Sequence, residues 1–181
     1  RDGLESPVPD ADARFEYGSI TKTFTALLLA DAVVRGELRL DDPVEAALPR
    51  GLKLRDSAQV PLTWADLATH RSGLPRLPAN LLPARAEDPY DGFGDDALLA
   101  FIERWRAGQP RDQVWAYSNL GFGLLGQALA WRARTRYEDL LRQRVLDPLG
   151  LADVALSISG RDTPRLPGHD AQGRAVPAWH F

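Results

Sequence analysis

The 181-residue sequence contains no cysteine. That excludes a disulfide scaffold, a thiolate nucleophile and thiolate-bound metal, and it suits a reducing or an oxidising compartment equally well. Methionine is also absent and the first residue is Arg1, so the expectation is a processed chain or a piece of a longer one. No apolar run is long enough to cross a bilayer: the strongest, Phe24 to Val34, is short and broken by Asp31. No signal-peptide pattern is read ahead of it. Basic clusters are missing as well, since 22 Lys and Arg are scattered against 25 Asp and Glu, for a formal charge of −3. This argues against nucleic acid or an anionic membrane as a partner. Lysine itself is nearly absent, for 20 of the 22 basic residues are Arg and only Lys22 and Lys53 remain. Arginine keeps its proton in any protein environment, whereas a lysine can be made to give its proton up, so each lysine is a candidate for chemistry. Lys53, in the loop Gly51-Leu52-Lys53-Leu54-Arg55, is adequately read as a surface charge.

With 44% hydrophobic residues, the chain is sized for one domain with its own core. The pattern is helical, with Pro/Gly loops and little strand. Ile20, Phe24, Leu27, Leu28 and Val34 recur at helical spacing, which predicts a helix over Ser19 to Arg35 with Gly36 as its C-terminal cap. Asp41-Asp42-Pro43 opens a short turn or helix to Leu48. Thr63-Trp64-Ala65-Asp66 has the pattern of a capping box, starting a helix that ends near Gly73. Residues 74 to 93, with four prolines, form an excursion long enough to suggest a function or a wrapped surface loop. Asp95 or Asp96 caps the next helix, whose Leu98, Leu99, Ile102 and Trp105 share one face. A further helix follows Tyr117-Ser118-Asn119 to about Ala133. Its Gly121, Gly123 and Gly126 each weaken it by roughly 1 kcal/mol relative to Ala, and so are read as points of close packing. Tyr137 to Leu146 is the last helix, closed by Pro148 and Gly150. Strand candidates are Arg14 to Tyr17, Gln59 to Leu62 and Val154 to Ile158.

The chemistry-bearing feature is Ser19-Ile20-Thr21-Lys22 at the start of the first helix. Residues three apart share a helix face, which brings a serine hydroxyl and a lysine amine within reach of each other. The hydroxyl is a weak nucleophile that needs a base. A lysine whose charged form is disfavoured by burial and by the positive end of the helix dipole can serve as one. The same helix start leaves unpaired N–H groups, and that of Ser19 can face an oxyanion. The plain alternative is an N-cap serine and a solvated lysine, although lysine is electrostatically unfavourable in a first turn.

The second feature is Tyr117-Ser118-Asn119. A phenol held beside an ammonium can relay a proton, and an Asn amide can hold a substrate amide. The alternative is a half-buried aromatic followed by a helix cap. His70 reads as structural rather than catalytic, His169 and His180 lack metal-ligand spacing, and Asp41 and Asp42 read as a turn and cap. Trp64, Trp105, Trp115, Trp131 and Trp179 are read as core or interface residues, with pocket lining as the alternative for Trp115.

Together these segments resemble the penicillin-recognising serine hydrolases, that is, class C β-lactamases, DD-peptidases and β-lactamase-fold esterases. The first motif of that family is Ser-x-x-Lys and its second Tyr-x-Asn. Phe15 to Phe24 is similar to the segment around the family's nucleophile, and Gly36 to Val44 to its continuation. Leu67-Ala68-Thr69-His70-Arg71-Ser72-Gly73-Leu74 and Pro148-Leu149-Gly150-Leu151 are similar to two further stretches, all in family order. The resemblance implies a β-lactamase/transpeptidase-like α/β (α+β) fold, a helical region plus an antiparallel sheet, of which this chain holds a mostly helical, incomplete part. It implies Ser19 as acylated nucleophile, Lys22 as base partner, Tyr117 as proton relay and Asn119 as substrate binder, with no cofactor and no metal. Whether Lys22 or Tyr117 takes the proton stays open. The substrate implied is a β-lactam, a D-Ala-D-Ala peptide or a small ester, in the periplasm or outside the cell. A non-catalytic member that binds peptidoglycan-like ligands or a partner is the alternative. The family's third motif, a Lys/His-x-Gly strand element giving a second oxyanion N–H, has no match here, so the chain alone is expected to hydrolyse weakly or not at all.

Overall fold

A computed structural model describes residues 13–82, 90, 92–110, 115–156 and 168–176. Its longest elements are helices α1 (Thr21–Val34), α3 (Asp95–Arg104) and α4 (Asn119–Ala133), joined by the short α2 (Trp64–Ala68) and α5 (Tyr137–Leu141). A two-residue antiparallel pair, β1 (Gly168–His169) and β2 (Ala175–Val176), sits in register Gly168 to Val176 and His169 to Ala175.

The first helix begins differently from the sequence expectation. A 3-10 turn over Gly18–Ile20 precedes α1, so Ser19 lies in that turn rather than in the α-helix. Gly18 enters it at φ +53°, a backbone state that glycine adopts without a Cβ penalty. The N-cap of α1 is Ile20, which makes no side-chain cap bond. This removes the reading of Ser19 as an ordinary cap. At the other end Gly36, at φ +70°, turns the chain, and the Glu37 amide bonds back to the Ala32 carbonyl at 3.0 Å, as a glycine C-terminal cap does.

The Thr63 capping box forms: the Asp66 amide donates to Thr63 Oγ1 at 3.3 Å, and the Thr63 amide to Asp66 Oδ2 at 2.8 Å. The helix it opens is shorter than its sequence pattern, ending at Ala68 instead of near Gly73, because His70 takes φ +60° and turns the chain out of the helix. Helix α3 starts from Gly94, without a side-chain cap. Asp95 and Asp96 lie in its first turn instead of capping it, and it ends at Arg104. The Tyr137 helix widens after one turn into a π-helical segment over Arg142–Leu146, marked by the Asp147 amide on the Arg142 carbonyl at 2.9 Å. Of the expected strands, none forms among the described residues. Residues 14–17 carry a single bridge residue at Arg14 and 154–156 are irregular; residues 157 and 158 lie outside the described residues. Gln59 to Leu62 instead folds back as a loop around Gln59 at φ +62°, with the Leu62 amide on the Leu54 carbonyl at 2.9 Å.

One core joins these elements. Leu28, Leu29 and Ala32 of α1 meet Leu124, Leu125, Ala128 and Leu129 of α4, with Leu140, Leu141, Val145 and Leu146 closing one side and Trp64, Leu67, Leu54 and Leu62 another. Fully burying each large apolar side chain contributes roughly 1.5–3 kcal/mol. Helix α1 is apolar on its outer side too, leaving Leu27 and Val34 exposed. At Gly126 the Tyr137 ring of α5 packs directly on the α4 backbone: a Cβ there would lie 2.8 Å from Tyr137 Cε2. The Tyr137 hydroxyl in turn bonds Thr25 Oγ1 of α1 at 2.7 Å, so the three helices are tied through one tyrosine. Gly121 also packs closely, 3.3 Å from Ser118 Oγ measured the same way, but Gly123 faces open space and does not fit the close-packing expectation.

Candidate active site

The 3-10 turn and the first turn of α1 place Ser19 and Lys22 on one side of the helix start, and Lys22 Nζ donates to Ser19 Oγ at 3.2 Å. The second group comes from the N-terminal end of α4. Ser118, fully buried, caps that helix by accepting from the Gly121 amide at 2.8 Å and donates its own proton to the Pro75 carbonyl at 2.7 Å. With Ser118 fixed, its neighbours Tyr117 and Asn119 project to the same place as Ser19. The Tyr117 phenol donates to Ser19 Oγ at 2.9 Å, and Lys22 Nζ donates to Asn119 Oδ1 at 2.8 Å. All four residues singled out from the sequence are therefore brought together across a chain separation of 97 to 98 residues.

The electrostatics suit proton transfer. Lys22 Nζ lies 4.8 Å from the Tyr117 ring centroid and Arg76 Cζ 5.2 Å from it, a cation–π arrangement on both counts. The Lys22 ammonium beside the phenol, then the Ser19 hydroxyl bonded to it, hold the Tyr117 pKa below the usual tyrosine value against the opposing effect of burial. His70, whose imidazole is 4.5 Å from the Tyr117 ring, has its pKa lowered by burial and by the Lys22 charge.

Several neighbours escaped the sequence reading. Tyr90 receives a bond from Asn119 Nδ2 at 3.4 Å, and its only advance signal was its place in the proline-rich 74–93 excursion. Phe122 packs within 5.9 Å of Lys22 Nζ. The Arg76 carbonyl takes the amides of Asn119 and Leu120 at 3.1 and 3.3 Å. Trp115 is exposed, edge-on to His70 at 6.3 Å, at the rim of the site rather than inside a pocket. Lys53 pairs with Glu45 at 3.5 Å on the surface, and Asp42 accepts the Arg39 amide at 2.7 Å in a turn. Among the described residues no group of acidic or histidine side chains is placed to hold a metal ion, and no helix is long and apolar enough to cross a membrane. Trp179 and His180 lie outside the described residues. An open cleft of about 440 Å³ at the far end of α1, lined by Leu28, Ala32, Glu37, Leu129, Arg132 and Arg144 among others, contains no nucleophile.

The family model for beta-lactamase matches residues 5–179, and the chain belongs to that family. It is 32% identical over 155 residues to a "Beta-lactamase" of Providencia stuartii, covering 85% of this chain and 37% of the relative. It is 31% identical over 166 residues to the D-alanyl-D-alanine-carboxypeptidase/endopeptidase AmpH of Escherichia coli, covering 87% and 40%. Among solved structures, the beta-lactamase/D-alanine carboxypeptidase of Yersinia pestis superposes with a TM-score of 0.76 at 27% identity, covering 86% of this chain and 44% of that one. The chain thus spans less than half the length of these relatives, and its fold is the corresponding part of the β-lactamase fold.

Proposed function

We propose that this chain carries the nucleophilic half of a serine hydrolase that works through an acyl-enzyme on a β-lactam or a D-Ala-D-Ala-type amide. The observation that supports this best is the convergence on Ser19 Oγ of two donors, Lys22 at 3.2 Å and Tyr117 at 2.9 Å, from opposite ends of the chain segment. In the reaction the Tyr117–Lys22 pair, acting as one proton reservoir, removes the Ser19 proton as Oγ bonds to the carbonyl carbon. The lowered phenol pKa, caused first by Lys22, favours the phenolate form of Tyr117, and it is this ionised oxygen that takes the proton from Ser19. The N–H of Ser19 supplies one donor to the tetrahedral oxyanion. Collapse breaks the carbonyl–nitrogen bond, and the departing nitrogen takes the proton from Tyr117. Water then gives a proton to the same phenol oxygen, adds to the acyl carbon and releases Ser19, whose Oγ recovers the proton. Asn119, already bonded to Lys22, orients an amide of the substrate through its remaining polar atom. No metal or cofactor enters these steps, and a periplasmic or secreted location belongs to the same reading.

With one oxyanion donor the 181 residues alone are expected to acylate slowly or not at all, since a single such donor is worth on the order of 10²–10³-fold in rate. The test is to incubate the longest native form of the protein with a fluorescent penicillin and map the adduct by mass spectrometry. A lasting adduct on Ser19 supports a DD-peptidase, and rapid turnover of a chromogenic cephalosporin supports a β-lactamase. Ester turnover alone would point to an esterase on the same fold. Absence of any adduct and any turnover defeats the proposal in favour of a binding module.

A further inference from the structure

Tyr117 and Asn119 reach Ser19 and Lys22 only if the backbone between them is held at one height and one rotation, and the structure shows what holds it. His70 follows α2 at φ +60°, a conformation uncommon outside glycine, in which asparagine, aspartate and histidine are the enriched exceptions. Both its main chain and its side chain are engaged there. Its carbonyl accepts the Ala116 amide at 3.0 Å, and its Nδ1 accepts the Ser118 amide at 3.1 Å. These two amides flank Tyr117, so one histidine brackets the phenol-bearing residue from both sides. Its ring lies 4.5 Å from the Tyr117 ring at 38° and 5.0 Å from Phe122, limiting the rotation of the phenol. An Nδ1 that accepts from an amide carries no hydrogen, so the imidazole is neutral with its proton on Nε2. A cationic ring would point an N–H at an N–H and add a charge beside Lys22.

We propose that His70 is a positioning residue: its Nε2-protonated imidazole fixes the 116–118 backbone so that the Tyr117 phenol bonds Ser19 and Asn119 bonds Lys22. Its Nδ1 is not available as a base, because it is committed to the Ser118 amide. The consequence for acylation rests on the function proposed above, whereas the bracket itself does not.

Two variants separate the roles. Asparagine tolerates positive φ and offers an oxygen near the place of Nδ1, while glycine tolerates the backbone and offers nothing. Tyr117 ionisation is followed by NMR of ring-labelled tyrosine, with Y117F identifying the signal, and His70 nitrogen shifts are read in the unmodified protein. The expected result is an Nε2–H tautomer at neutral pH and a Tyr117 pKa that rises toward the ordinary tyrosine value in H70G but stays low in H70N. Acylation of Ser19 is expected to fall on the order of 10²-fold in H70G, the cost of roughly an ångström of misplacement, with H70N recovering most of it. An Nδ1–H or cationic ring in the unmodified protein overturns the proposal even if H70G fails to fold. So does a folded H70G whose Tyr117 titrates unchanged. If the unmodified protein forms no acyl adduct, the hydrolase reading fails while the tautomer and titration still decide the bracket.

Discussion

The two ends of helix α1 hold charge in opposite ways. At its C-terminal end charges are held by countercharges: Arg144 reaches Glu37 at 2.8 Å and Asp31 at 3.6 Å, and Arg35 bonds Asp31 at 2.7 Å. The Arg144 pKa rises accordingly, chiefly through its bond to Glu37. At the N-terminal end Lys22 finds only uncharged oxygens, those of Ser19 and Asn119, and no carboxylate pairs with it among the described residues. A neutralised network ties elements together but locks its protons. A cation surrounded by a hydroxyl, an amide and a phenol leaves the protons free to move, and it biases the phenol toward ionisation. The contrast is what the proposed function requires, one end serving structure and the other proton transfer, and it holds without reference to any relative.

The contrast breaks most visibly at Lys22. Replacing it by Arg keeps the charge but removes a group able to share the proton, so Ser19 acylation is expected to drop on the order of 10³-fold, within the range of general acid–base catalysis. Thermal unfolding should barely move. Unchanged acylation kinetics would mean that charge alone suffices. Lys22→Ala should raise the Tyr117 pKa toward about 10, the ordinary value, because the ammonium is the first cause of its depression; spectrophotometric titration against Y117F reads this directly. Gly126→Ala brings a methyl to 2.8 Å from Tyr137. Overpacking of this kind costs about 1–3 kcal/mol, offset by about 1 kcal/mol of helix propensity, so calorimetry should show a net loss of stability.

The His70 titration has a definite sign. Its pKa is lowered in the native state, so as pH falls past about 6.5 the unfolded chain binds the proton first. Native stability is whole above that value and declines below it, less steeply in His70→Asn, as denaturant midpoints across pH will show. Smallest of all in its effect on catalysis is Arg144→Ala at the opposite end of α1. Its side chain is only 20% exposed and its loss strands Glu37 and leaves Asp31 with Arg35 alone, so stability should fall by about 1–3 kcal/mol while acylation rates stay untouched. A large catalytic defect there would erase the distinction between the two ends.

Much of the site was legible in the sequence, because its components are local. Ser19 and Lys22 declare themselves by their three-residue spacing at a helix start, and Tyr117-Ser118-Asn119 by residue type beside a helix cap. What spacing could not supply was which distant backbone each group rests on. The bond from Ser118 to His70 joins residues 48 apart in sequence, and Tyr90 reaches Asn119 from a loop with no periodicity. The misread boundaries have the same origin. Thr69-His70-Arg71 carries no glycine to announce a left-handed residue, and the mixed apolar and charged pattern from Tyr137 to Leu146 does not reveal where the ladder widens. Strands were over-read at Gln59 to Leu62, where β-prone residues fold back on Leu54 over too short a distance to form a ladder.

The hydroxyl-to-hydroxyl link between Thr25 and Tyr137 sits one turn beyond Lys22 on α1. A substitution on the far side of α4 that pushes the tyrosine ring can therefore rotate the nucleophile without touching any reacting group. In a library screened only for lost turnover, such variants would be scored as hits in the catalytic machinery. Counting competent molecules by burst amplitude, separately from the rate per molecule, distinguishes a chain that is out of alignment from one that lacks a working part.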